Sequence, residues 1–141
     1  MTFATNSLHP GLAAVLAATM FVFVARNCAA AESSGQHDYQ ALCASCHGTN
    51  GNGAGATLTE ANPPDLTQLS IKNGGKFPFA EVYRSIDGRE MKGLHKRFAM
   101  PFWGEYLQQQ TGKSGAESEA EVKQRIVGIV RYLETIQRKQ R

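Results

Sequence analysis

Apolar residues in this chain form one steady pattern, one uncharged run and several short fragments. The steady pattern is at the carboxy end, where Val122, Ile126, Ile129, Val130, Leu133 and Ile136 step by 4, 3, 1, 3 and 3. Such steps draw one face of an α-helix. Ser118 with Glu121 predicts a capping box in front of it. Glu117, Glu119 and Glu121 suit the positive end of the helix, and Arg138, Lys139 and Arg141 its negative end. A shorter pattern, Tyr39, Leu42, Cys43 and Cys46, predicts a helix from His37 to about Cys46. Gly48 to Asn62 holds four glycines and three asparagines without apolar period, and reads as a loop. Pro63-Pro64 enforces extended backbone, and Asp65-Leu66-Thr67 starts a short helix ending at Asn73-Gly74-Gly75. Phe77-Pro78-Phe79 leads into another from Ala80 to Ile86, stopped by Asp87-Gly88. Arg89 to Gly104 mixes charge, aromatics and Pro101, and reads as a long structured loop. No run alternates with period two for long enough to be a strand. The expected fold class is all-α, with four to five short helices and long loops.

Such a chain has few large apolar side chains between residues 48 and 104. A flat apolar prosthetic group in the centre would supply the missing core.

The uncharged run changes the domain picture. Gly11 to Ala25 has fifteen residues without a charge, followed by Arg26, Asn27, Cys28 and the small residues Ala29-Ala30-Ala31. Fifteen residues fit the core of a secretory signal and fall short of the roughly 20 a spanning helix needs. The expectation is a signal peptide over residues 1–31, a mature domain over 32–141 and a periplasmic location. No Lys or Arg precedes Gly11, so an uncleaved anchor stays open as the alternative. Arg26 and Asn27 argue against a lipid anchor on Cys28. Cleavage leaves 110 residues, room for one domain. Fourteen Lys and Arg against twelve acids then give a charge of +2. That excess is too small for nucleic-acid binding, and no aromatic-basic interleaving supports it.

The mature part keeps two cysteines, in Cys43-Ala44-Ser45-Cys46-His47. Two thiols three positions apart on a helical turn can each add to a vinyl group of a haem, and the following histidine then reaches the iron. A structural zinc site would need two more ligands, and neither a second thiol pair nor a spaced histidine pair follows. A thioredoxin-like dithiol needs a preceding strand, which the pattern lacks. One covalent haem c, on Cys43, Cys46 and His47, is the reading these residues support.

Around the motif, Gly35-x-x-x-Tyr39-x-x-x-Cys43-x-x-Cys46-His47-Gly48 resembles the amino-terminal helix of class I c-type cytochromes. In that family a glycine and an aromatic four residues apart face the last helix. The matching partner is Val130-Arg131-Tyr132-Leu133, with Gly128 as a second point of close approach. Asn62-Pro63-Pro64-Asp65-Leu66 resembles the family's proline segment, which implies that the Pro64 carbonyl orients His47. Phe98-Ala99-Met100-Pro101-Phe102-Trp103 resembles the segment that carries an axial methionine. The resemblance runs from about Gly35 to Gln137, with Lys72 to Phe79 and Tyr106 to Ala116 unmatched. It implies a cytochrome c fold and electron transfer between redox proteins.

Three side chains compete for the iron face opposite His47: Met91, His95 and Met100. Met100 is favoured, because Pro101 stiffens the backbone after it and Phe98, Phe102 and Trp103 would keep water from a soft thioether. Axial ligands His47 and Met100 would fill the iron and leave no substrate position, which argues for a carrier and against an enzyme. Two alternatives stay open: a peroxidase-like haem enzyme with an open iron site, and an electron-transfer subunit of a dehydrogenase or oxidase complex. A membrane-associated redox complex stays open among the partners. His37 reads as a solvated surface histidine and His95 as exposed and unliganded. Arg84, Arg89, Lys92, Lys96 and Arg97 exceed Asp87 and Glu90 by three charges, and read as a solvated face first and a docking surface second.

Overall fold

The structure, a computed structural model, describes residues 34–54, 63–91 and 100–139. These all belong to the unit Glu32–Arg141. The expected signal over residues 1–31, His95, Lys92, Lys96, Arg97 and Phe98 lie outside the described residues. Among the described residues there are helices and turns and no strand, in keeping with the all-α expectation. No helix among them is long and apolar enough to cross a membrane.

Helix α1 covers residues 34–42, a turn follows at Cys43, and α2 is Ala44–His47. The chain is thus helical from at least Ser34, earlier than His37, and the expected single helix is broken at Cys43. Gly48 ends α2 with φ 80°, a value L side chains rarely adopt, and donates its N–H to the Ala44 carbonyl at 2.8 Å. A 3₁₀ turn, Leu66–Gln68, runs straight into α3, Leu69–Lys72. It starts where the sequence indicates, because the Asp65 carboxylate accepts from the Thr67 N–H at 2.9 Å. Helix α4, Phe79–Asp87, differs from expectation by one residue at each end and closes on left-handed Gly88.

Helix α6, Gly115–Thr135, buries the apolar stripe: Val122, Ile126, Ile129, Val130 and Leu133 are all inaccessible or nearly so. The capping box is a correction. The helix begins after Ser114, so Ser118 lies inside it, fully buried, with its hydroxyl 3.0 Å from that of Thr111. Glu121 instead pairs with Lys113 at 3.2 Å, as Glu117 does at 2.9 Å. Tertiary packing, not capping chemistry, decides where this helix starts.

Helix α1 crosses α6 at Gly35 and Gly128. A side chain at Gly35 would run into the backbone carbonyl of Gly128, so the two main chains touch. Beside them the Tyr39 and Tyr132 rings are 5.1 Å apart and tilted. Asp38 and Arg125 add a two-pronged ion pair at 2.6 and 3.0 Å across the same helices.

The expected loop from Arg89 to Gly104 holds more order than its sequence indicates. A 3₁₀ turn occupies Arg89–Met91, and an unforeseen helix α5 spans Trp103–Gln110. Helices α4, α5 and α6 pack on one another, with Leu107 of α5 fully buried among them. Gly104 rests against Asp87 and Arg89, where no side chain would fit. Arg89 grips Asp87 through Nε at 2.6 Å and reaches Glu119 of α6 at 2.7 Å, and Gln108 donates to the same Glu119 oxygen at 2.8 Å. The Arg89 guanidinium thereby ties α4 to α6, and Gln108 of α5 joins them at Glu119. This corrects the solvated-face reading for Arg89, whose charge is paired with Asp87 and Glu119.

Candidate functional site

The short α2 sets the spacing of the chemistry. Its first turn puts Cys43 just before the helix and Cys46 and His47 in its last positions. The two thiols are free, with Cys43 buried and Cys46 half-buried. Burial pushes the Cys43 thiol up to about 12, and the Asp38 and Cys46 side chains push the same way.

His47 has one ring nitrogen committed. Its Nδ1 is 3.2 Å from the Pro64 carbonyl, which can only accept, so Nδ1 carries the proton. The lone pair is then on Nε2. Burial pushes the His47 imidazole below its ordinary range, against the opposing pull of the Pro64 hydrogen bond. A neutral ring with Nε2 free is the form in which a histidine can bind a metal. The loop around it is fixed from the backbone: Gly53 donates to the His47 carbonyl at 2.8 Å, and Leu66 donates to that of Gly51 at 2.7 Å.

Met100 is half-buried and packs at the margin of the core. The same margin carries Leu66, Leu69, Phe77, Phe79, Tyr83 and Trp103, all partly buried apolar residues contacting fully buried ones. Partly buried apolar side chains, two thiols and an imidazole are the kinds of group that would hold a flat, largely apolar haem. The fit rests on side-chain chemistry and burial. Among the other candidates, His37 is exposed as expected, and His95 lies outside the described residues together with the side chain of Met91.

The sequence reading named Cys43, Cys46, His47, Pro64 and Met100. It missed Gln137, whose amide bonds to Leu66, Leu133 and Ser70 beside the proline segment. Nothing in the pattern signalled it, since a polar residue after an amphipathic helix is ordinary.

An all-α fold with C-x-x-C-H on a helical turn and a carbonyl at the histidine's far nitrogen is the arrangement of a cytochrome c domain. The family model for cytochrome c oxidase, cbb3-type, subunit III matches residues 30–133, and the chain belongs to that family. It therefore carries a cytochrome c domain, a module of haem-based electron transfer whose haem c is covalently bound. No curated protein and no solved structure matches the chain.

Proposed function

We propose that this protein is an exported carrier of single electrons, with one haem held as thioethers by Cys43 and Cys46 and ligated by His47 and Met100. The observation that carries the reading is the 3.2 Å approach of His47 Nδ1 to the Pro64 carbonyl. It fixes the tautomer with Nε2 available, next to two unpaired cysteines. When bound, haem supplies a reversible one-electron couple. The chain's own tasks are to attach it, orient His47 through Pro64 and keep water from the Met100 sulfur with aromatic neighbours. With His47 and Met100 both holding the haem, no position would be left for substrate, which favours a carrier over an enzyme. Its partners are other redox proteins.

Two measurements test this. The intact mass of the purified holoprotein should equal residues 32–141 plus one haem, and acid-acetone extraction should leave the haem on the polypeptide. A mass that retains residues 1–31 overturns the cleaved signal, and haem that extracts freely overturns the thioethers. Met100→Ala should abolish the near-infrared sulfur-to-iron charge-transfer band, lower the reduction potential and admit carbon monoxide to the iron. A band that survives in Met100→Ala but is lost in Met91→Ala assigns the ligand to Met91.

A second reading, an electron-transfer subunit held in a larger oxidase complex, is favoured by the description of the matched family. Purification as a free monomer would count against it.

A further inference from the structure

The segment that follows α6 docks on the chain that presents the Pro64 carbonyl. Gln137 donates through Nε2 to the Leu66 carbonyl at 2.8 Å and to the Leu133 carbonyl at 2.7 Å. Its Oε1 accepts from the Ser70 N–H at 2.9 Å. One residue on, the Arg138 N–H donates to the Thr67 carbonyl at 2.9 Å, and its guanidinium lies 3.4 Å from Asp65. Ile136 completes the contact from the apolar side, with its side chain against Gly51. Residues 136–138 therefore touch both strands of chain that bracket His47: the loop after it and the proline segment facing its Nδ1. The matched family region stops at residue 133, so these residues lie beyond it.

From this geometry we infer that Gln137 is a positioning residue for the iron ligand. It clamps Leu66 and Ser70 so that the Pro64 carbonyl stays in line with His47 Nδ1–H. Two donated bonds and one accepted bond satisfy the amide, so it has one orientation. The chain from Pro64 to Leu66 is only three residues long and includes a proline, so a shift at Leu66 is transmitted with little slack. A firmer bond at Nδ1 makes the imidazole a stronger donor, which favours ferric iron and lowers the potential. Release of the clamp should do the reverse. The inference rests on His47 being the ligand, as proposed above.

The test uses the holoprotein. Gln137→Met keeps the side-chain length and removes all three bonds. Exchange of the His47 Nδ1 proton, followed by NMR in the reduced state, should accelerate at least tenfold and the reduction potential should rise. The Met100 charge-transfer band should stay. Leu107→Ala, a core truncation on α5, serves as the comparison for mere destabilisation: it should lower the melting temperature and leave the Nδ1 exchange rate and potential alone. Unchanged exchange and potential in Gln137→Met would overturn the inference, as would equal effects in Leu107→Ala. Should Gln137→Met not accumulate, native-state hydrogen exchange on the parent protein decides. The Ser70 N–H, Arg138 N–H and His47 Nδ1–H should open as one unit in low denaturant. A His47 proton that stays protected while the other two open would sink the idea. Failure of the underlying assignment has a separate signature, since His47→Ala would then leave the haem spectrum unaltered.

Discussion

The crossing of α1 with α6 and the junction of α4, α5 and α6 hold the same molecule together by different means. At the crossing, the closest contact is made by what is missing: Gly35 lets one backbone touch the other at Gly128, with the Asp38–Arg125 ion pair beside it. At the junction, contact is made by what reaches across: Arg89 joins Asp87 and Glu119, and Gln108 joins the same Glu119 oxygen. A contact built from an absent side chain has no graded failure, because any added atom meets main chain. A contact built from partly exposed polar groups can lose one bond at a time, with water replacing it. The first is a fixed foundation for α2 and its two thiols. The second is adjustable, and joins α4, α5 and α6.

The largest effect should come from breaking the crossing. Gly35→Leu places side-chain atoms where the Gly128 carbonyl stands, and no rotamer change relieves a backbone clash. Overpacking of this kind should cost about 3 kcal/mol or more. Thermal unfolding of the holoprotein measures it, and an unchanged melting temperature would show that the helices do not meet there.

This difference also explains what was legible in the sequence. The stripe of α6 was readable because it is apolar and periodic, and the crossing at Gly35 and Tyr39 because that segment resembles the amino-terminal helix of class I c-type cytochromes. The attachment motif was readable because C-x-x-C-H assigns each residue a task. Helix α5 was not, because Trp-Gly-Glu-Tyr-Leu-Gln-Gln-Gln buries only Gly104 and Leu107 and shows no stripe. Ser118 misled for a related reason. A serine ahead of an apolar run reads as a cap, yet here it is a buried helical residue facing Thr111. Gln137 and Arg89 act through bonds to backbone and to distant carboxylates, and such bonds leave no period along the chain.

The junction should yield a smaller and pH-dependent effect. Hydrogen bonds from the Arg89 guanidinium hold the Asp87 carboxyl below the usual carboxylate range, against the cost of its burial. The folded-state pKa is therefore lower than the unfolded value of about 3.9. Stability from this pair is present above that value and is lost as pH falls through the lower folded pKa. Arg89→Met should cost roughly 1–2 kcal/mol near neutral pH, since the pair is only partly shielded and Glu119 is well exposed. Melting temperatures of parent and variant should converge as the pH drops well below 4. A gap that stays constant down to pH 2, on the order of two units below the reference carboxylate, would mean that packing of the Arg89 stem, and not the ion pair, supplies the stability.

The smallest effect is expected where the two kinds of contact meet. Tyr39 belongs to the crossing by its ring, which is fully buried against Tyr132, yet its hydroxyl donates to the Gly48 carbonyl at 2.7 Å. Gly48 follows His47 directly, so this bond links the dry helix contact to the start of the loop after His47. Burial pushes the Tyr39 hydroxyl well above its ordinary range, which favours the protonated donor. Tyr39→Phe keeps the ring contact and deletes only the donor, leaving a buried carbonyl without this partner. The cost should be about 1 kcal/mol in thermal or denaturant unfolding. If the crossing and the ligand loop were mechanically separate, the variant would change stability alone. Because the bond ends on the residue next to His47, exchange of the His47 Nδ1 proton should also quicken, by less than in Gln137→Met. The clamp at Leu66 and Ser70 remains intact in this variant, so its larger effect should remain too when both changes are combined. Exchange that is untouched in Tyr39→Phe would confine the role of Tyr39 to packing.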